Sequence, residues 1–559
     1  MFDWLVVLPP IFVLIIAYFT HNILLSIIIG VVSAALIATQ GAPLPAGMLI
    51  YSYAWQEVFD PKHAFLFMIG FAFLLGAIIT LMNYTGGACA LGRVITKKLK
   101  TARDTQTASL LFSFFVCIDD YLSSLTVGCV MQPLTDRFRI PRTKLAFLIN
   151  TMASPLVVLI PISSWVGIIV KGLGLSGLTL EMAHTVHEHV HFPGGVMDMG
   201  QRVIVHADPF YTYLNAVPFF FYSFIVMAGT WFIVRRTISY GAMKKQEIIA
   251  QETGNLYGGQ APRFCPSAIT PHDKNYLSDF FVPIISLIVC TLVGLPYTGG
   301  YYLFGGTHGL LESFRFADIY PVLFFAGSVS FVASSLLAVL RRHITISLVP
   351  ILLGKGVKLM YQSAIIIFCA LIFGDLLNEA LFTGNYLATL ILPYISVHWI
   401  PLITFIMTSI IALGTGSSWG TILIMCPIST QMAAALTGLS YPTTLANIYI
   451  LLPTIGAVIS GSIAGAQLSP IADPVTVSST SAGCYQIDHV RTQIPYILPS
   501  IIGSCVAFTA AGFLKINSPT ITALICLAIG LMTSFILLYG INNWANRTNQ
   551  EKTNNITTR

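Results

Sequence analysis

Charge is what this sequence has least of. Only 9% of its 559 residues are Asp, Glu, Lys or Arg, 55% are hydrophobic and the mean hydropathy is +0.80. A soluble domain averages about 25% charged residues, so a water-soluble globular protein is excluded and a polytopic membrane protein is implied. The net charge of +6 then reports topology, not affinity for nucleic acid. Ten cysteines form no CxxC pair and lie mostly in apolar runs, which excludes a disulfide frame or a thiolate metal site and leaves small buried hydrophobes. The segment 235–277 holds Gly254, Gly258 and Gly259 but no GxxxxGK[ST] loop, so this chain alone has no ATP motor. The start, MFDWLVVLPPIFVLIIAYFTHN, lacks a basic n-region and a small-residue cleavage site and reads as a retained helix.

What is there is apolar sequence in long runs. A spanning helix needs about 20 mostly apolar residues. The spans expected are 4–19, 22–39, 65–84, 145–173, 212–234, 278–298, 318–340, 361–382, 446–480, 495–514 and 519–540, eleven in all. Two further stretches, 105–135 and 400–436, do not fit single spans. The first is flanked by Arg93, Lys97, Lys98, Lys100 and Arg103 and by Arg137, Arg139, Arg142 and Lys144. Loops rich in Lys and Arg are cytoplasmic, so the chain enters and leaves on one side. One helix of that length would measure about 46 Å against a core of about 30 Å. A re-entrant hairpin fits, with its tip at Asp119 and Asp120, the only charges between Thr105 and Thr135. The count then places 23 basic residues inside and 5 outside (Lys62, Lys171, Arg202, Arg315, Lys515), with the N-terminus outside and the C-terminus cytoplasmic. No Lys or Arg occurs between Lys358 and Arg491, so 400–436 is read as a second hairpin entering from outside.

The halves echo each other. NYTGGACALG precedes the first hairpin and LFTGNYLATL the second; Gly86 to Asp120 and Gly384 to Ser418 are both 34 residues. The corresponding spans 65–84 and 361–382 run in opposite directions, the mark of an inverted-topology repeat, a recurrent build of secondary transporters. The expected fold is therefore all-α, with about eleven transmembrane helices and two re-entrant hairpins. The expected units are a first repeat 1–173, a joining region 174–277, a second repeat 278–480, two helices in 481–540 and a cytoplasmic tail 541–559.

After each hairpin comes a span broken by Pro and hydroxyl residues. MASPLVVLIPISSWVGIIV carries Pro155, Pro161, Ser163 and Ser164; GAQLSPIADPVTVSSTSAGC carries Ser469, Pro470, Asp473, Pro474, Ser478, Ser479 and Thr480. Pro removes a backbone donor, and Ser or Thr can satisfy the groups it frees. Gly414, Gly416 and Gly420 would let the second hairpin turn beside Ser417, Ser418 and Trp419. Two tips and two unwound spans thus converge. Ionisable side chains within a membrane are costly and mark ion paths. Two adjacent carboxylates resist being ionised together, and a proton or a hard cation such as Na⁺ relieves that cost. Asp120, which aligns with Ser418, is the first choice for the coupling residue; either aspartate could instead cap a hairpin helix. Asp473 divides between ion binding and capping in the same way.

These residues resemble a known family. FVCIDDYLSSLTVGCVMQPLTDRFRIPRTKLAFLI, PISSWVG, FTGNYLATLILP, GTGSSWGT and SPIADPVTVSSTSAGCYQIDHVRTQIPY are similar to the NhaC-type sodium/proton antiporters over roughly residues 5 to 510. The resemblance implies paired re-entrant hairpins, Na⁺ and H⁺ as the transported or coupling ions, and no cofactor. It places the family's Asp-Asp-Tyr on Asp119, Asp120 and Tyr121, its Ser-Ser-Trp motifs on Ser163–Trp165 and Ser417–Trp419, and its Ser-Pro-x-x-Asp on Ser469, Pro470 and Asp473. The chain departs from the pattern at Asn150, where an acid is usual, at Ala466-Gln467, where Asp-His is common, and at Gln132 and Ser124. Fewer ionisable groups favour the alternative, a Na⁺- or H⁺-coupled transporter of organic acids or amino acids.

Asp375 and Glu379 lie one helical turn apart and are candidates for the transport pathway. The loop HTVHEHVHF, with His184, His187, His189 and His191, reads as a mobile outer loop ahead of a metal or pH site. No nucleophile–base pair or metal spacing points to an enzyme. The expected partners are an inorganic cation, a proton, a small organic solute and membrane lipid, with no nucleic acid; related folds are often homodimers. The expected location is a bacterial inner membrane.

Overall fold

In a bilayer every backbone N–H and C=O needs a bond within the chain, so long apolar runs coil into helices. The computed structural model describes residues 3–20, 23–59, 65–87, 90, 99–117, 119–161, 163–175, 178–179, 189–192, 195–198, 205–261, 276–310, 313, 316–381, 383, 396–436, 443–444, 448–470, 472–516 and 518–557. The α-helices among them are α1 (Leu8–Thr20), α2 (Ile23–Ala38), α3 (Pro43–Phe59), α4 (Phe65–Thr85), α5 (Ala102–Phe115), α6 (Asp120–Arg137) and α7 (Arg142–Asn150). Next come α8 (Ala153–Val157), α9 (Ser164–Leu175), α10 (Pro209–Ala216), α11 (Phe221–Arg236), α12 (Gly241–Thr253), α13 (Ser278–Thr298) and α14 (Ile319–Leu340). The last are α15 (Val349–Asp375), α16 (Ile400–Thr415), α17 (Ser418–Leu436), α18 (Leu451–Leu468), α19 (Asp473–Ala482), α20 (Gln486–Phe513) and α21 (Pro519–Thr557). Strands among the described residues are two to four residues long and lie between helices, as in His189–Phe192 against Gly195–Asp198. The fold is all-α and the protein is a multi-pass membrane protein. Seven described helices are long and apolar enough to cross a bilayer, and up to ten spans result if each of three bent helix pairs counts as one.

The breaks fall where apolar sequence is interrupted. The segment 105–135 is α5, a break at 116–119, then α6; 400–436 is α16, a break at 416–417, then α17. Of the three glycines expected to turn the second segment, Gly416 alone takes a left-handed conformation, at φ 72°. The stretch 145–173 is not one span but α7, α8 and α9, interrupted between Val157 and Ser164; 446–480 is α18 and α19, parted at Ser469–Ala472.

Other boundaries move. α3 has no counterpart in the expected spans, because Gln56 and Glu57 interrupt its apolar character; it folds back from α2 by 119° at a turn with Gln40 at φ 53° and Gly41 at φ 85°. α15 starts at Val349, so Lys355 and Lys358 are helical and not loop charges. Lys171 is likewise inside α9 and buried, not in an outer loop. Residues 91–98, the Gly384 motif, and His184 and His187 lie outside the described residues.

The halves interlock. α9 from the first half packs on α17 from the second, and α19 from the second packs on α6 from the first. α4 and α15 pack against each other at Gly76 and Gly356, where the backbones all but touch. Trp165 and Trp419 meet edge to face with ring centroids 6.1 Å apart.

Candidate ion-binding site

α6 begins at Asp120, and Asp119 is its N-cap. Asp119 is extended (φ −146°, ψ 140°), and its Oδ1 accepts from the Leu122 N–H at 2.9 Å. Capping therefore occupies one oxygen of Asp119. The other, Oδ2, accepts from Ser164 Oγ at 2.8 Å, the first residue of α9. Asp120 Oδ2 accepts from Ser154 Oγ of α8 at 3.0 Å. Asp120 Oδ1 is buried with no donor in hydrogen-bond geometry among the described residues; the Trp165 indole N–H lies near this carboxylate and is likewise buried without a bond. The two aspartates are 1% and 4% exposed. An ionised carboxylate buried this deeply costs several kcal/mol without compensation, so the orphaned oxygen is where a proton or a cation would act. The positive end of α6 adds favourable potential.

The aspartates open on different sides. Asp120 faces a small cavity of about 20 Å³ whose walls include Tyr121, Trp165, Ser417, Ser418 and Asp473. Asp119 faces a mostly apolar one, also about 20 Å³, walled by Met68, Leu75, Ser164, Tyr320 and Met360. Trp419 borders both. The first cavity draws on all four broken elements: the start of α6, the start of α9, the 416–417 break with α17, and the start of α19. Ser417 Oγ accepts from the Gly420 N–H at 3.1 Å and caps α17, while Ser418 Oγ donates to the Ser462 carbonyl at 3.2 Å. The Asp473 carboxylate accepts from the Tyr121 hydroxyl.

Not every expected residue comes here. Ser163 is buried beside Ser164 with no partner for its Oγ among the described residues. Ser478 Oγ bonds the Val475 carbonyl at 3.1 Å, and neither Ser478 nor Thr480 is among the cavity residues. Asp375 and Glu379 stand apart, with Glu57 and Lys171. Ser154 was legible only as part of a Pro-interrupted run; the pairing with Asp120 is tertiary. Among the described residues no three His, Cys, Asp or Glu side chains are arranged to hold a metal ion. A cation at this site would rest on Asp120 and Asp473 with hydroxyl and carbonyl oxygens.

The family model described as the Na⁺/H⁺ antiporter family matches residues 194–513, more than half of the chain. The chain belongs to the Na⁺/H⁺ antiporter family. The matched stretch holds Ser417, Ser418 and Asp473; Asp119 and Asp120 precede it. An uncharacterized protein of Haemophilus influenzae is 27% identical over 515 residues, 91% of this chain and 90% of that protein. The malate-2H⁺/Na⁺-lactate antiporter of Bacillus subtilis is 31% identical over 134 residues, 23% of this chain and 26% of its own length. In fold, the chain resembles the YdaH transporter of Alcanivorax borkumensis at a TM-score of 0.51 and 12% identity, over 85% of this chain and 89% of that one.

Where this family member departs from the expected acidic pattern, the structure shows a neutral network. Asn150 Nδ2 donates to Gln493 Oε1 at 3.0 Å, Gln467 Nε2 donates to the Asn150 carbonyl at 2.8 Å, and the Tyr222 hydroxyl donates to Gln467 Oε1 at 2.7 Å. Gln493 Nε2 closes the set on the Gln467 carbonyl at 2.7 Å. These uncharged amides bond one another, with Asn150 Oδ1 left buried without a donor among the described residues, and tie α7, α18 and α20 together.

The hydroxyl donors carry a prediction. A hydrogen bond to a charged group is worth about 1.5–3 kcal/mol. Ser154→Ala is expected to raise the half-saturating cation concentration roughly tenfold or more, while Ser478→Ala leaves it unchanged. Initial rates of cation-driven proton movement against cation concentration measure both.

Proposed function

We propose that this antiporter exchanges Na⁺ for H⁺ across a bacterial inner membrane, with Asp120 as the coupling carboxylate and Asp119 as its fixed neighbour. The observation that carries this reading is the buried Asp120 Oδ1, which has no donor in hydrogen-bond geometry among the described residues and belongs to a carboxylate that opens on a cavity with Asp473, Ser417 and Ser418. A proton and a cation would compete for that oxygen, and competition at one site is the simplest chemistry of exchange. The reciprocal packing of α9 on α17 and α19 on α6 supports an inverted repeat with the site between its halves. The distribution of Lys and Arg supports a cytoplasmic C-terminus. One charge crossing 100 mV releases about 2.3 kcal/mol, enough to drive accumulation.

The test uses everted vesicles from cells without their own antiporters. After energisation, addition of Na⁺ is expected to release accumulated protons, read with a pH-sensitive dye. The absence of a response to Na⁺, Li⁺ and K⁺ from well-expressed protein overturns the reading.

A second reading, exchange of a small organic acid, has its own support. The cavity is walled by Tyr121, Trp165 and Trp419, apolar surfaces that suit a carbon skeleton, and the neighbouring network is uncharged. A carboxylic acid substrate would then raise the thermal stability of the detergent-solubilised protein, by mass action, where Na⁺ alone does not.

A further inference from the structure

A much roomier cavity lies away from the aspartate pair, between the start of α5 and the last turn of α11. Its volume is about 700 Å³, within the range of ligand pockets. Three arginines border it: Arg103 of α5, and Arg235 and Arg236, which close α11. Asp104 is the one acid on its wall among the described residues. That carboxylate is committed to the cap of α5, where its Oδ2 accepts from the Thr101 N–H at 3.1 Å. The wall thus carries three positive charges against one negative charge. None of the three guanidinium groups has an ion-pair or hydrogen-bond partner among the described residues. The positive end of α5 adds to the same field.

A neighbouring cavity shows the contrast. It shares Arg103 and also has Arg139 and Lys144 on its wall. There Lys144 pairs with Glu247, and Arg139 Nη1 donates to the Gln251 carbonyl at 2.7 Å. The basic groups of that cleft are answered from within the chain, and those of the larger one are not. A guanidinium presents a fork of donors that fits phosphate oxygens, so the chemistry that completes the larger cleft is a phosphate.

The cleft is also graded along α5. Arg103, Thr107 and Leu111 recur at every fourth residue and share a helix face, and Phe114 and Phe115 follow. Leu111 is 50% exposed, Phe114 46% and Phe115 63%. From Arg103 to Phe115 the axis rises about 18 Å, close to half of a hydrocarbon core of about 30 Å. α11 ends a bent helix pair long and apolar enough to cross a bilayer, so its terminal arginines stand at the level of lipid headgroups. The matching ligand is anionic at one end and apolar over the depth of one leaflet. We propose that this cleft binds an anionic phospholipid, its phosphate on Arg103, Arg235 and Arg236 and an acyl chain along Leu111, Phe114 and Phe115. Basic pockets between transmembrane helices hold such headgroups. A soluble phosphate would leave the apolar strip uncovered. The bound lipid bridges α5, the arm that leads to Asp119, to α11, against which α5 packs. The proposal does not depend on which ions or solutes the protein exchanges.

The test melts the delipidated full chain in detergent with added phosphatidylglycerol, with phosphatidylcholine of the same acyl chains, or with glycerol phosphate. A ligand of the folded state raises the melting temperature by mass action. The expected result is a rise with phosphatidylglycerol alone. Its half-maximal concentration should increase roughly fivefold for each arginine removed, in Arg103→Gln, Arg235→Gln and Arg236→Gln, and stay unchanged in Arg139→Gln. An equal rise with phosphatidylcholine overturns the site, since any lipid would then serve. An equal rise with glycerol phosphate overturns the lipid in favour of a soluble anion. No response to phosphatidylglycerol, or a response that survives removal of all three arginines, overturns the proposal outright. The three side chains are exposed, so single replacements leave the core untouched, and they decide the question if the triple variant does not fold.

Discussion

Asp120→Asn is expected to reduce Na⁺-driven proton movement to background without unfolding the protein. Asn keeps the shape and the oxygen that accepts from Ser154, but it cannot be ionised, so it can neither exchange a proton nor attract a cation at the orphaned position. Removing a buried charge also relieves a desolvation cost, so thermal stability should hold or rise as activity vanishes. Asp119 makes the contrast. Its Oδ1 caps α6, so Asp119→Ala should lose about 1 kcal/mol of stability in addition to any loss of transport. Dye-monitored exchange and a thermal melt of the same preparations check both. Retained exchange in Asp120→Asn would show that the pair caps the helix and does nothing more.

Gly356→Ala should damage the fold severely for the addition of a single methyl group. A Cβ at Gly356 would sit 2.2 Å from the Ala77 nitrogen and 2.4 Å from its Cα; a Cβ at Gly76 would sit 2.4 Å from the Gly356 carbonyl oxygen. These are backbone atoms, so no rotamer relieves the clash and α4 and α15 must separate. Overpacking of this kind costs about 3 kcal/mol or more. Function should fall as well, because Leu75 of α4 and Ile367 of α15 line the cavities. Gly354→Ala on the same helix is the control. A Cβ there meets nothing within 4 Å, and Ala favours the helix by about 1 kcal/mol. Equal melting temperatures for the two variants would disprove the contact.

The sequence by itself determined the class of the protein and the positions of its breaks. An apolar chain with few charges must build helices in lipid, and Asp119-Asp120, Pro161, Gly416 and Ser469-Pro470 are each at or beside an interruption, since a break inside a membrane needs residues that can satisfy or dispense with backbone bonds. The spacing that pairs Asp120 with Ser418 is also the spacing of two helix starts. Charge counting misled at Lys171, because a lysine in a chain of loops and spans reads as surface unless its partner is known. That partner, Glu57, lies on a helix too polar to register as a span. Only the tertiary structure decided the partners: Lys171 with Glu57, Ser154 with Asp120, Gly76 with Gly356, and the amides Asn150, Gln467 and Gln493 with one another. Local sequence dictates local breaks because each is a matter of backbone bonding over a few residues. It leaves open which distant side chains compensate a buried charge, since that is fixed by helix packing across the whole chain.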